Sequence, residues 1–171
     1  MLEFLSGVWF ILPAYAASSF AVLSGGRIVI DFNKKFYGRR ILGNGKTVSG
    51  FVGGVFAGAV VGFILGFIEN SFNFNIINYD MDFYIGFIIA LGAMSGDLLG
   101  SFIKRRIGLE RGESVLLLDQ LDFVAGALIF GYLINALPTL GGIIFVLILT
   151  PFLHLFANKI AHAWKLKKRP W

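Results

Sequence analysis

Residues 83–106 read FYIGFIIALGAMSGDLLGSFIKRR, an apolar run that ends in three consecutive basic residues. A bilayer core about 30 Å thick is crossed by roughly 20 apolar residues of helix. Basic residues collect at the cytoplasmic ends of such helices. The stretch therefore predicts a transmembrane helix whose last turn lies at the cytoplasmic surface. One carboxylate, Asp97, lies within its apolar part.

Apolar runs of similar length lie on both sides of this one. The chain has 171 residues, of which 57% are hydrophobic, and its mean hydropathy is +0.78. Soluble domains usually contain about 45–50% apolar residues. We therefore predict an all-α, polytopic membrane protein, a bundle of five transmembrane helices that forms one integral-membrane domain over residues 1–171. The predicted spans are 7–24, 50–68, 83–103, 121–137 and 140–160.

The charged residues are segregated between the two sides of this predicted bundle. All 15 Lys and Arg residues lie between spans one and two, between spans three and four, or from Lys159 at the end of span five onward. The opposite loops carry acidic residues and no basic ones. The positive-inside rule then places the N-terminus outside and the C-terminus in the cytoplasm, and an even number of spans breaks the segregation.

The composition and charge of the chain indicate which partners we expect. A basic face beside a bilayer meets anionic headgroups and anionic substrates, so we expect no nucleic acid partner. The start, Met1-Leu2-Glu3, has no basic leader, so span one is expected to stay in place. The absence of cysteine excludes a disulfide or a thiolate metal site.

Carboxylates and cations meet at the predicted cytoplasmic end of span three. Asp97, Ser101 and Lys104 are spaced i, i+4, i+7 and share one helix face, with Arg105 at its edge. Carboxylates within a membrane helix are functional candidates because they are costly there unless paired. The alternative is an ion pair at the membrane edge with snorkelling basic side chains.

A second acidic pair begins span four. Asp119 and Asp122 are three residues apart and face the same way on a helix. The helix dipole favours acidic residues at an N-terminus, which explains one carboxylate better than two. Together with Asp97, the pair supplies the oxygen ligands that Mg²⁺ prefers beside substrate phosphates.

A glycine-rich turn precedes span two. Residues 43–50 read GNGKTVSG, but this is no P-loop, because Arg40 stands where that motif requires glycine and no strand–helix unit surrounds it. A turn that opens a helix can still offer backbone N–H groups and Lys46 to a phosphate. The alternative is a simple loop-to-helix turn.

Small residues form a stripe along span two. Glycines at positions 50, 54, 58, 62 and 66 recur every fourth residue. Such a stripe allows close helix packing, or it forms a groove for a lipid chain or a nucleotide.

His154 and His162 are isolated and show no metal-ligand spacing.

The segment from Ser101 to Asp122 resembles the phosphatidate cytidylyltransferase superfamily. The shared residues are Ser101, Lys104-Arg105, Asp119 and Asp122. Residues 108–113 and 116–123 read GLERGE and LLLDQLDF, where the usual bacterial and eukaryotic form carries lysine-aspartate and histidine-glycine-glycine. The chain is instead similar to the archaeal branch, the CDP-archaeol synthases. The GNGKTVSG turn is similar to that branch too, although aspartate often stands at position 44 there.

The resemblance implies a nucleotidyltransferase of archaeal phospholipid biosynthesis. CTP and an isoprenoid ether glycerol phosphate, 2,3-bis-geranylgeranyl-glycerol phosphate, give CDP-archaeol and pyrophosphate at the cytoplasmic side of the cell membrane. For this reaction we expect Mg²⁺ as the cofactor, with Asp97, Asp119 and Asp122 as ligands. These aspartates and Lys104 are the expected catalytic residues. The expected substrate-binding residues are Gly45, Lys46, Thr47, Ser101, Arg105 and Arg106.

Other interpretations stay open at this point. A phosphatidate cytidylyltransferase acting on ester lipids and a small cation-coupled membrane transporter are the main alternatives. A CDP-alcohol phosphotransferase requires Asp-Gly followed by aspartates four apart, whereas this chain has Gly96-Asp97 and aspartates three apart. A structural membrane subunit is the least specific option. The oligomeric state and the preference between CTP and dCTP stay open.

Overall fold

The structure, a computed structural model, describes residues 2–73, 76–77, 79–109, 115 and 117–163. For residues 2, 154–155 and 157–163 it describes the backbone alone, so the side chains of His154 and His162 lie outside the described part. The elements are α1 (Leu2–Leu23), β1 (Lys35–Phe36), β2 (Arg39–Arg40), α2 (Val48–Phe72), α3 (Phe83–Arg106), α4 (Leu118–Leu133) and α5 (Leu140–Ala163).

The described part of the chain is mainly helical, as predicted, and it holds five helices. By length and composition, α1, α2 and α3 can cross a membrane. Helix α4 has 16 residues, about 24 Å at a rise of 1.5 Å per residue. The helix covers residues 118–133, whereas the predicted span covers 121–137. Asp119 and Asp122 therefore lie in the first two turns of α4. The number of spans and the orientation of the termini stay predictions.

Close backbone contacts fasten α2 to α1 and α3. A Cβ on Gly54 would lie 2.7 Å from the carbonyl oxygen of Ala17 in α1. A Cβ on Gly62 would lie 2.5 Å from the Cα of Gly86 in α3. Because protein backbone fills the glycine stripe, close helix packing is its role. These backbone contacts leave no groove for a lipid chain or a nucleotide along positions 54–66, whereas Gly50, at the start of the stripe, lines a cavity.

The main apolar core lies where α1, α3 and α4 meet. Phe10 and Ile11 of α1, Ile89 of α3 and Val124 of α4 are fully buried together. Val146 joins the same cluster from α5. This packing holds α3 and α4 side by side, so side chains from both helices can line one cavity.

The segment between α1 and α2 folds into a small β-hairpin, which the all-α prediction missed. Strands β1 and β2 pair antiparallel through a two-residue turn, Tyr37-Gly38, whose φ angles are 48° and 77°. Positive φ at both positions defines a type I′ turn. The guanidinium carbon of Arg106, the last residue of α3, lies 5.3 Å from the centre of the Phe36 ring. The hairpin is therefore fastened to the end of α3.

Candidate active site

A cavity of about 860 Å³ lies between the end of α1, the turn before α2, and the facing parts of α3 and α4. The three predicted metal ligands all line it, although they come from two helices. The turn before α2 contributes four polar or glycine residues, and α1 contributes two serines. These lining residues are Asp97, Asp119, Asp122, Asn44, Gly45, Lys46, Thr47, Ser18 and Ser19.

Two lysine–aspartate pairs cross the site. Lys46 Nζ lies 2.6 and 2.5 Å from the two carboxylate oxygens of Asp97. Lys104 Nζ lies 2.6 Å from Asp119 Oδ1. The four side chains are between 16% and 29% exposed, so the pairs are half-buried and remain accessible to a solute. Each lysine neutralises a carboxylate on another element, which joins the turn to α3 and α3 to α4.

Two glycines of α3 position Asp122. A Cβ on Gly100 would lie 2.9 Å from Asp122 Cγ, and its nearest neighbour would be the carboxylate oxygen Oδ2. A Cβ on Gly96 would lie 3.1 Å from the Cα of Gly126 in α4. Because neither glycine has a side chain, α4 approaches α3 closely and Asp122 lies beside Asp97. The Oδ1 atom of Asp122 accepts a hydrogen bond from the Phe123 backbone N–H at 2.7 Å.

The start of α2 lies at the cavity wall. Thr47 is its N-cap, and its hydroxyl oxygen accepts hydrogen bonds from the N–H groups of Gly50 and Gly26, both at 3.2 Å. An N-terminal helix end carries partial positive charge and attracts phosphate. Gly45 and Lys46 precede this cap and face the cavity. The predicted phosphate turn therefore lies opposite the three aspartates.

The remaining predicted substrate-binding residues lie outside the cavity lining. Ser101 is buried in α3 and is 5% exposed. Arg105 donates to the carbonyl oxygen of Leu109, and Arg106 donates to the carbonyl oxygen of Arg40 at 2.7 Å. Both arginines thus hold the loops around the site in this structure. Their predicted contact with substrate stays a prediction.

Asp31, which sequence reasoning missed, organises the loop that carries the phosphate turn. Its side chain is 1% exposed and pairs with Arg40 at 2.6 Å. It also accepts backbone N–H bonds from Asn33, Leu42 and Gly43 at 3.0–3.1 Å. Although burial opposes ionisation, these hydrogen bonds lower the pKa of Asp31 well below its usual value. The available signal was its position as the one acidic residue in a basic segment.

The donor set suits a magnesium ion that arrives with phosphate. Within the described residues, no three acidic or histidine side chains form a ready-made metal cluster. Three carboxylates nevertheless line one cavity, and Mg²⁺ is commonly held by one or two carboxylates together with substrate phosphates. Asp122 makes no ion pair with any described residue, whereas Asp97 and Asp119 each hold a lysine. Asp122 is therefore the carboxylate available without displacing a cation.

Comparison with known proteins identifies the family of the chain. A family model described as CarS-like, CDP-archaeol synthase, matches residues 1–171. The chain belongs to the CDP-archaeol synthase family. The resemblance seen at the sequence level is thus confirmed over the whole chain.

Curated CDP-archaeol synthases match the chain over nearly their full length. The Methanopyrus kandleri protein is 48% identical over 172 residues, which cover 99% of this chain and 95% of that protein. The Pyrococcus horikoshii protein is 42% identical and covers 100% of this chain and 99% of its own length. The Methanocaldococcus jannaschii protein is 43% identical, covering 97% and 96%.

A solved structure described as an intramembrane enzyme for archaeal membrane lipids biosynthesis shares the fold. It superposes with a TM-score of 0.80 and 36% sequence identity, covering 91% of this chain and 94% of that one. The chain is therefore a membrane protein, because its structural neighbour is an intramembrane enzyme and three of its own helices are long and apolar enough to cross a membrane.

Proposed function

We propose that the cavity transfers CMP from CTP to the phosphate of an isoprenoid ether glycerol lipid, giving CDP-archaeol and pyrophosphate. The observation that carries this proposal is the meeting of Asp97, Asp119 and Asp122 with Lys46 in one cavity, with Lys104 bound to Asp119. CDP-archaeol synthase is also the name of the curated relatives. The cavity thus supplies carboxylate oxygens for a metal and the Lys46 ammonium for phosphate, and Lys104 is the neighbouring cation on Asp119.

The proposed reaction requires charge neutralisation more than proton removal. A phosphate monoester has its second pKa near 6, so the lipid phosphate is largely dianionic at about pH 7. One of its oxygens forms a bond to the α-phosphorus of CTP. The bond from that phosphorus to the oxygen bridging to the β-phosphorus breaks, and pyrophosphate leaves with the electron pair. No general base is needed, and the described cavity lining contains no histidine.

The lysines serve two states of the site in this proposal. Without substrate, Lys46 and Lys104 neutralise Asp97 and Asp119. When CTP binds, both ammonium groups move to the phosphate oxygens. The partial positive charge at the start of α2 points at the same negative phosphates. Fixed cations aimed at a developing negative charge lower the barrier of such a displacement. Gly45 and Thr47 shape the turn that presents Lys46.

Asp122, with Asp97 and Asp119 once their lysines leave, would hold Mg²⁺ through carboxylate oxygens. The ion, when bound, supplies Lewis-acid polarisation of the phosphate oxygens and neutralises the leaving pyrophosphate. The site belongs to one integral-membrane domain spanning residues 1–171 and faces the cytoplasm from the cell membrane. The location of every basic residue on one side of the predicted bundle supports this orientation.

The test is turnover by the purified protein in lipid nanodiscs. We expect CTP with an ether-linked isoprenoid glycerol phosphate to yield CDP-lipid and an equal amount of pyrophosphate. Parallel reactions with dCTP, ATP and ester-linked phosphatidic acid define the nucleotide and the lipid class. Faster turnover of the ester lipid would replace the ether-lipid assignment. Cation flux in proteoliposomes without CTP consumption would replace the enzyme by a transporter.

A further inference from the structure

Two exposed aromatic side chains lie in turns of the loop between α1 and α2. Tyr37 is 89% exposed and Phe32 is 67% exposed. Their φ angles are 48° and 45°, in the left-handed region. Each is followed by a second positive-φ residue, Gly38 and Asn33, and the Lys34 N–H closes the first turn on the Asp31 carbonyl oxygen at 2.7 Å. Both aromatic residues therefore occupy the first central position of a left-handed turn.

The fold does not account for an aromatic residue at these positions. Asn, Asp and Gly are strongly preferred in such turns, because other side chains meet the backbone at positive φ. Tyr37 contacts only the neighbouring Phe36 ring among the described aromatic contacts, with 4.6 Å between ring centres. A strained backbone conformation that packing does not require indicates a functional constraint.

The hairpin also lies at the level of a helix end. The guanidinium carbon of Arg106, the last residue of α3, packs against the Phe36 ring of the hairpin and the Phe102 ring of its own helix, 5.3 and 5.1 Å from their centres. Helix α3 is long and apolar enough to cross a membrane. The hairpin is therefore held beside the point where that helix leaves the apolar layer.

The charge of the segment completes the pattern. Lys34, Lys35 and Arg39 are exposed around the turn, and the one acidic residue between α1 and α2 is Asp31, which Arg40 neutralises. Tyrosine concentrates at membrane–water interfaces, and basic residues near the surface attract anionic headgroups. The exposed Tyr37 ring, surrounded by exposed basic side chains beside the end of α3, therefore has the chemistry of a surface that binds lipid headgroups.

We propose that the hairpin is a membrane anchor whose Tyr37 ring enters the headgroup layer of the leaflet beside the cavity, while Lys34 binds anionic lipid headgroups. This contact holds the loop that carries Lys46 at a fixed height above the lipid phosphate. The anchor is a property of the surface and holds whichever reaction the cavity performs.

The experiment uses the full-length chain in nanodiscs of phosphatidylcholine mixed with phosphatidylglycerol. The chain has no native cysteine, so Lys35→Cys accepts a single nitroxide label. Relative accessibility to oxygen and to a polar nickel complex reports the depth of that label. We expect a membrane-facing label in the parent and a severalfold lower oxygen-to-nickel ratio after Tyr37→Asn. Tyr37→Trp should retain the ratio, and pure phosphatidylcholine should lower it.

Tyr37→Asn separates the anchor from a folding role. Asparagine suits the left-handed turn better than tyrosine, so hydrogen-exchange protection of residues 35–40 should hold or rise while the label leaves the lipid. A label that is equally exposed to nickel in the parent and in the Tyr37→Asn variant overturns the proposal. Spin–spin broadening between labels would assign the hairpin to contact between two copies instead. Neither measurement requires turnover, so they are independent of the proposed transferase activity.

Discussion

Replacing Asp31 by Asn tests whether one buried carboxylate holds the phosphate turn in place. The side chain keeps its size but loses its charge, and one of its two oxygens becomes an N–H donor. In the structure, Oδ1 accepts from Asn33 and Arg40, and Oδ2 accepts from Arg40, Leu42 and Gly43. Whichever oxygen is replaced, at least two donors lose their acceptor.

The expected magnitude follows from the burial of the pair. Removing one partner of a buried ion pair destabilises by about 3–5 kcal/mol. Asp31 is 1% exposed, but Arg40 is 23% exposed and regains some hydration. We therefore take the lower end, about 3 kcal/mol, which is roughly a hundredfold increase in local opening at 1.36 kcal/mol per tenfold. Because Lys46 lies in the loosened loop, kcat/KM for CTP should fall as well.

Hydrogen exchange followed by mass spectrometry measures this opening in peptides covering residues 27–47. Asp80→Asn, an exposed acid outside this loop, is the matched charge control and should leave the peptides unchanged. The folded pKa of Asp31 is lowered, so its stabilisation is complete above its unfolded pKa of about 3.9 and is lost as pH falls toward the lowered value. Protection in the parent should fall with acid over that range, and protection in Asp31→Asn should not. Exchange within twofold of the parent at neutral pH would refute the role given to Asp31.

Four further outcomes are expected. Asp122→Asn should lower CTP-dependent pyrophosphate release by about 100- to 1,000-fold while circular dichroism stays unchanged, and full activity would remove its metal role. Gly100→Ala should destabilise the protein by about 1–3 kcal/mol, because the added methyl group overpacks against Asp122, and thermal unfolding measures this change. The control, Leu99→Ala, changes a side chain that is 62% exposed on the same helix and should alter the stability little. A chelator should stop turnover until Mg²⁺ is restored, without lowering Tm when CTP is absent; a lower Tm would indicate a resident metal. Lys46→Ala should raise the KM for CTP even in an Asp97→Asn background, and no added effect there would reduce Lys46 to a partner of Asp97.

The helical fold and the proximity of the three aspartates could be predicted from the sequence, because both follow from local patterns. Apolar runs of about 20 residues predict helices, and Asp97 lies at the same end of the bundle as Asp119 and Asp122. Basic residues on one side then place these ends together. The spacing of Asp97 and Lys104 predicted one shared helix face, and the structure has Asp97 in the cavity lining and Lys104 bound to Asp119. That spacing did not show that Lys104 pairs with Asp119 and that Lys46 pairs with Asp97, because those pairings join separate elements.

The hairpin and Asp31 escaped prediction for a different reason. Strands of two residues show no alternation of polar and apolar side chains, and Tyr37 is disfavoured at the positive φ that the turn requires. Asp31 acts through donors up to 12 residues away, Gly43 being the farthest. Such contacts follow from the path of the folded loop, which no single window of the sequence encodes.

The lysine–aspartate pairs link stability of the site to its chemistry. Three carboxylates that share one cavity repel one another unless cations lie between them, and Lys46 and Lys104 supply two such cations. In the proposed reaction, a nucleotide that arrives with a metal ion would offer the carboxylates a divalent cation and the lysines phosphate oxygens. The charges of Asp97, Asp119 and the two lysines are then paired both before and after this exchange. In the proposed reaction, Asp122, which has no lysine among the described residues, would hold the incoming cation before either pair opens.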